Sequence, residues 1–264
     1  MQLNTDKMLA EKGDHIGWIT FNNPAKRNAV SLEMWRALGI ILSDFQQDDD
    51  VRIVVVKGAG DKSFVSGADI SEFETKRDSA AAQEEYAKQS AQGSIMMYKL
   101  DKPLIAMIQG FCIGGGMAVA LNADVRFATP DSRFGIPAAK LGLGYGFGGI
   151  KALSDLVGPS CAKDILFSAR FLEAEEALAI GLINRIVSND DLESTVRDYA
   201  GMIGGNAPLT IRAVKASVRE IYRDPEKRDL EKIEKMTKQC FDSKDYAEGR
   251  RAFMEKRKPA FTGK

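Results

Sequence analysis

Histidine is almost missing from this chain: His15 is the only one in 264 residues. A His-based metal site or a Ser–His–Asp triad therefore has little material to draw on. Cysteine is scarce too. Cys112, Cys161 and Cys240 are odd in number and far apart, which suits reduced thiols and neither a disulfide framework nor a metal site. No charge dominates, with 37 Lys plus Arg against 37 Asp plus Glu, so nothing directs the chain to nucleic acid or an anionic membrane surface. No apolar run is long enough to span a bilayer. The opening residues, MQLNTDKMLAEKG, lack the apolar stretch of a signal peptide. A cytoplasmic protein with no nucleic-acid or membrane partner is expected. The length suffices for one large core, with or without a helical appendix.

What the sequence has is glycine in telling places. The stretch over residues 102–123 reads KPLIAMIQGFCIGGGMAVALNA. Residues 103–108 predict a buried strand and residues 117–122 an apolar helix, with Gly114, Gly115 and Gly116 between them. A glycine loop opening a helix aims unpaired N–H groups at one point and lets a ligand approach the backbone. Such a site suits an oxygen that gains negative charge during a reaction. The alternative is a close helix–strand contact that needs small residues.

Along the chain, residues 8–12 and 16–21 predict a hairpin around Gly13-Asp14, with His15 at the turn. Asn22-Asn23-Pro24 predicts a turn. Ser31 is placed to cap a helix reaching about residue 48, with Leu32, Trp35, Leu38, Ile41, Leu42 and Phe45 on one face. Residues 53–57 predict a strand. Residues 64–70, FVSGADI, show neither helical nor strand period and predict a loop beside a core strand, where function often resides. A polar-faced helix over 80–100 follows, its start blurred by the charged segment 75–79. Short strands are expected at 124–128 and 133–136. Gly144, Gly146 and Gly149 match G-x-G-x-x-G, but neither the preceding strand nor the later acidic residue of a dinucleotide fold is evident. Helices are then expected over 160–167, 173–180, 190–203, 208–222, 225–241 and 244–256, with a strand at 182–187. Strands alternate with helices only in the first two-thirds, which gives an α/β core with a helical C-terminal extension.

Taken together and in order, these motifs resemble the crotonase superfamily, the enoyl-CoA hydratase/isomerase family. The resemblance runs from Asn22-Asn23-Pro24 and Asn28-Ala29 through FVSGADI, the glycine triplet and Phe134-Gly135 with Leu141-Gly142, to Phe253-Met254-Glu255-Lys256-Arg257. It implies a spiral of ββα units over residues 1–200 and a C-terminal helical trimerisation region over 201–264. It implies a homotrimer or a dimer of trimers, and a CoA thioester as ligand. CoA enters as part of the substrate, and neither a tightly bound cofactor nor a metal is expected. By position the family's two oxyanion-hole N–H groups fall on Ala68 and Gly115. Its adenine pocket falls near Val65, Ser66 and Gly67. Lys26, Arg27 and Lys256 are candidates for CoA phosphates, the alternative being solvated surface charge.

The chain departs from the family's hydratases at two points. Their paired glutamates correspond to Ala118, three residues after Gly115, and to Ala138, after Pro137. Without that acid–base pair the chain is expected to be a poor hydratase, and decarboxylation or isomerisation through an enolate is favoured. Tyr145 stands in a register where decarboxylating relatives carry a tyrosine, so a phenol that holds a carboxylate or moves a proton is one reading, and an aromatic pocket wall the other. Those relatives also carry His in place of Ala68 and Glu in place of Ala118. Asp69 is expected to brace its loop, Lys140 to be surface or bracing charge, and Glu72 and Glu74 to lie near the pocket mouth or in solvent. A CoA-thioester-binding subunit without activity of its own is the reading from another class.

Overall fold

The computed structural model describes residues 1–69 and 80–264, without the side chains of 80–83, 85–87 and 89. Glu72, Glu74 and the segment 75–79 lie outside the described residues, as does the last residue of the FVSGADI loop. The chain opens with the predicted hairpin, β1 (Met8–Gly13) and β2 (Ile16–Phe21). Its turn runs through Asp14 and an exposed His15, both in left-handed backbone at φ 54° and 63°. Helix α1 (Leu32–Gln47) starts where Ser31 accepts a hydrogen bond from the Met34 N–H. All six residues of its predicted apolar face are buried.

Strand β3 (Ile53–Gly58) reads as a continuous apolar run because both of its faces are covered. Val54 and Val56 join the large core under α1, whereas Ile53 and Val55 meet Leu192, Val196 and Ala200 of helix α6 (Leu192–Gly204). The next elements come as repeats of strand, strand and helix. They are β3, β4 (Ser63–Val65) and α2 (Ala80–Lys99); β5 (Leu104–Ile108), β6 (Phe111–Ile113) and α3 (Gly115–Asn122); and β7 (Val125–Ala128), β8 (Arg133–Gly135) and α4 (Phe147–Ser168). The first strand of each repeat joins a six-stranded sheet ordered β1-β2-β3-β5-β7-β10. The second joins a four-stranded sheet ordered β4-β6-β8-β9. Strand β9 is Leu172–Glu173 and β10 is Arg185–Ile186. Pairing is parallel along β2-β3-β5-β7-β10 and along β4-β6-β8. This is the spiral of ββα units that the sequence resemblance implies.

Four expectations need correction. Residues 64 and 65 are not loop but the end of β4, a strand too short to show a period, held by pairing Ser63 with Phe111 and Val65 with Cys112. Helix α4 starts at Phe147 and not at 160. Buried Leu153 and Val157 hold its glycine-rich first half, and the break falls at Gly158 (φ 78°, ψ 161°) before Pro159. The strand expected at 182–187 pairs only over Arg185–Ile186. The helix expected from 225 begins at Leu230 as α8 (Leu230–Phe241), behind a separate turn at Pro225–Lys227 and an Asp229 side chain that accepts from the Lys232 N–H. The remaining helices are α5 (Ala174–Ala179), α7 (Pro208–Ile221) and α9 (Lys244–Glu255). Among the described residues no helix is long and apolar enough to cross a membrane.

Lys102, 2% exposed, ties α1 to the start of β5. Its ammonium donates to the Phe45 carbonyl at 2.5 Å and the Asp48 carbonyl at 2.6 Å, closing the C-terminal end of α1. Burial, with a smaller push from Arg212, lowers its pKa from 10.5 to about 8. A lysine whose folded pKa lies below its unfolded one penalises the fold while it is charged, and the penalty lifts as pH rises from the folded to the unfolded value. The stability of the wild type relative to Lys102→Met is therefore expected to increase between pH 8 and 10.5, by about 3 kcal/mol at most. Urea unfolding of both proteins across that window checks it. A flat difference would show that burial does not shift this ammonium.

Candidate active site

Two neighbouring backbone segments meet at the C-terminal ends of β4 and β6. The first is Val65 to Asp69. An isolated parallel bridge joins Val30 to Ala68. Within it the Val30 N–H donates to the Gly67 carbonyl at 2.8 Å and the Asp69 N–H to the Val30 carbonyl at 3.0 Å. Because successive peptide groups alternate in direction along extended chain, the Ala68 N–H points away from Val30. The second segment is the start of α3. The Gly114 N–H is taken by the Gly135 carbonyl at 2.9 Å, which leaves Gly115 as the first residue of the helix, its N–H among those with no intrahelical partner. Among the described residues neither the Ala68 nor the Gly115 N–H meets an acceptor.

The two segments are pressed together, which explains the glycines. A Cβ on Gly116 would lie 2.1 Å from the Val65 carbonyl oxygen. A Cβ on Gly115 would lie 3.3 Å from the Gly67 carbonyl carbon and 3.6 Å from the Ala68 nitrogen. Gly67 itself sits at φ 121°, a conformation open to glycine alone. The contact thus needs small residues, and it brings near each other two N–H groups that no described acceptor meets, one of them at the positive end of a helix. This arrangement can stabilise a developing oxyanion.

Ala118 lies one turn after Gly115 and is half-buried, on the same side of α3. Ala138 is half-buried in the tight turn Pro137–Leu141 and packs against the main core, as does Tyr145. The Tyr145 ring also rests on Gly149, where a Cβ would come within 2.7 Å of it. Burial pushes the Tyr145 phenol above its ordinary pKa of 10, with Cys112 adding in the same direction. It is a neutral donor at physiological pH and has no tendency to act as a base.

The candidate CoA contacts divide. The Ser66 N–H donates to the Arg27 carbonyl at 3.2 Å and the Ser66 hydroxyl to the Lys26 carbonyl at 3.4 Å, so Lys26, Arg27, Ser66 and Gly67 share one corner. Val65 is fully buried. The Arg27 guanidinium stands 5.4 Å from the Phe111 ring centre. The Lys26 ammonium bonds both oxygens of buried Asp69, at 2.9 and 3.1 Å, so Asp69 does brace the loop. Lys140 is exposed and stands over the Phe171 ring. Lys256, an exposed left-handed residue closing α9, has no described contact with any of these. Sequence reasoning passed over Asn28. Its buried amide accepts from the Asn23 N–H and donates to the carbonyls of Ala59 and Ser63, bracing the turn against the loop before β4. Its place in the Asn28-Ala29 pair was the available signal.

Known proteins resemble this chain over nearly its whole length. A model of the enoyl-CoA hydratase/isomerase family matches residues 11–264. The short-chain-enoyl-CoA hydratase of Clostridium acetobutylicum is 34% identical over 258 residues, covering 98% of this chain and 97% of that protein. A carnitinyl-CoA dehydratase of Salmonella enteritidis is 32% identical, covering 93% of this chain and 94% of that protein. The crystal structure of an enoyl-CoA hydratase/carnithine racemase from Magnetospirillum magneticum is similar with a TM-score of 0.93 at 33% identity, over 99% of this chain and 97% of that one.

Proposed function

The chain belongs to the enoyl-CoA hydratase/isomerase family, and on that footing we propose that it binds a CoA thioester and stabilises its enolate with the backbone N–H groups of Ala68 and Gly115. The observation that carries this reading is the close approach of Gly115 to the Gly67-Ala68 peptide. The thioester oxygen accepts from both donors, and its charge is held more tightly as the enolate forms. Adenine lies along Ser66 and Gly67, Val65 being fully buried in the core and out of its reach, and Arg27 and Lys256 meet the CoA phosphates.

Ala118 and Ala138 offer no group to activate water, so the enolate must arise another way. Decarboxylation of a malonyl-type thioester is the favoured reaction, because loss of CO₂ leaves the electron pair on the α-carbon and needs no base. Tyr145 then hands its proton to that carbon or holds the departing carboxylate. An isomerisation would require the same phenol to take a proton first, which its raised pKa opposes. Tyr145→Phe is expected to slow decarboxylation by about 10²-fold, in the range of a lost general acid, while leaving substrate affinity nearly unchanged. An unaltered rate would reduce Tyr145 to a pocket wall.

The protein works as a homotrimer or a dimer of trimers in the cytoplasm. Phe253 and Met254 support the assembly, since α9 leaves them 83% and 80% exposed and apolar surface of that kind calls for a partner.

The testing experiment is mass spectrometry of crotonyl, 3-enoyl, methylmalonyl and saturated acyl thioesters incubated with the protein in D₂O. Loss of CO₂, or deuterium uptake without hydration, is the expected result. Gain of water by the crotonyl ester would overturn the reading of Ala118 and Ala138. Binding without any change of mass would favour the non-catalytic subunit, which the same two alanines also suit.

A further inference from the structure

Three cations converge at the N-terminal ends of the parallel strands β3 and β5, away from the oxyanion segments at the far ends of β4 and β6. Arg52 stands just before β3 and Lys102 just before β5. With Arg212 of α7 and the tail residues Thr262 and Gly263 they line a cavity of about 100 Å³. The tail wall is fixed in place. Buried Asp245 accepts from the Thr262 N–H at 2.7 Å and from the Gly263 N–H at 2.8 Å. Arg52 ties that wall to the core by donating to the carbonyls of Phe261 at 2.8 Å and Gly204 at 2.9 Å.

The side chains around the cavity do not balance these charges. Lys102 is buried, yet both of its acceptors are neutral carbonyls, and among the described residues it forms no ion pair. Arg212 faces it as a like charge. The Arg212 guanidinium is half-buried, and among the described residues it meets neither a carboxylate nor a carbonyl. Asp48 spends its carboxylate on Lys12 at 2.6 Å. Asp49, the one acidic side chain lining the cavity among the described residues, is exposed and bonds none of the three cations. Desolvated cations without a counter-charge destabilise a fold, and an anion held between them removes that cost. Donors to hold it remain: Lys102 uses two of its three N–H bonds, Arg52 two of its five and Arg212 none. The first turn of α7, which no side chain caps, adds the positive end of a helix.

We propose that this cavity is an anion site, separate from the CoA contacts, that takes a free tetrahedral oxyanion of the phosphate class. Its size decides the class, since room for about three waters fits such an ion and excludes a nucleotide. Arg212 offers the planar fork and Lys102 the buried point charge. The bound anion joins α7 and the tail to the starts of β3 and β5, so it acts on stability and not on the thioester chemistry.

Thermal unfolding and calorimetry of the full chain test this, with inorganic phosphate as the probe and chloride keeping the ionic strength constant. Phosphate is expected to raise the melting temperature saturably, with a single site per chain. Arg212→Gln should weaken that site by about 10-fold or more, the mark of a lost charge-assisted contact, and Arg212→Lys by less. Arg27→Gln and Lys256→Gln should leave it unchanged. In wild type labelled with ¹⁵N-lysine, phosphate should shift the Lys102 Nζ resonance, a readout that needs no variant. A phosphate effect no larger than that of chloride overturns the proposal. So does stabilisation that survives Arg212→Gln or disappears with Arg27→Gln, since phosphate is then bound elsewhere. An Nζ resonance that stays still while phosphate binds removes Lys102, and the cavity with it. Competition by phenyl phosphate would overturn the assignment to a free anion.

Discussion

Glutamate at both positions 118 and 138 is expected to raise the hydration of crotonyl-CoA by about 10²–10⁴-fold over the wild type, the range of a positioned acid–base pair. The two alanines are half-buried, and the first lies one helical turn after the Gly115 donor. A carboxylate there stands on the same side of α3 as the oxyanion site. Two carboxyl groups sharing one apolar pocket do not both ionise at neutral pH, because each raises the pKa of the other. One is left protonated as acid and one charged as base, which is what addition of water to an enoyl thioester requires. Either glutamate alone should give far less than half of the gain in free-energy terms, since residues that act as a unit are not additive. Loss of the conjugated enoyl absorbance measures the rate, and thermal unfolding checks that the added carboxylates are tolerated. A wild type that hydrates as fast as the double variant would mean that another group activates water. The hydratase relatives do not decide this in advance, because identity over a whole chain reports the fold and two side chains set the reaction.

How much of this was legible in the sequence depended on how local the cause was. Helix α1 could be read with its cap and its buried face, since both are written within a few turns. Strands β4 and β6 could not, because three residues show no period and their order comes from pairing with each other. The ββα repeat is likewise absent as a sequence repeat. What recurs is a backbone hydrogen-bonding pattern, filled by different side chains in each layer. At the site, chemistry constrained residue type strongly enough to mark the glycine triplet and the Ala68 loop. Their meeting was not visible, since it requires β4 to lie beside β6. The link between Lys26 and Asp69 is hidden for the same reason, since 43 residues separate them and nothing local joins the two. Tyr145 could be named from its register, but the burial that raises its pKa is something only the fold provides.

Proline in place of Gly115 is expected to lower turnover of any thioester that the protein converts by about 10²–10³-fold, the loss typical of one oxyanion-hole donor. The position makes this substitution informative. Gly115 is the first residue of α3, where proline is tolerated because the N–H it removes has no partner in the helix. The substitution therefore deletes the donor and spares the helix. It also adds a Cβ, which the neighbouring Gly67 carbonyl carbon would meet at 3.3 Å. Gly115→Ala carries the same Cβ and keeps the N–H, so it isolates the cost of crowding. The expectation is a modest loss for alanine, of about 1–3 kcal/mol in stability if the loop must yield, and the full catalytic loss for proline only. Because an oxyanion donor acts on the transition state, the proline loss should fall on kcat more than on KM. Equal losses in the two variants would assign the effect to crowding. Unchanged turnover with proline would remove Gly115 from the site and leave the Ala68 N–H to act without it.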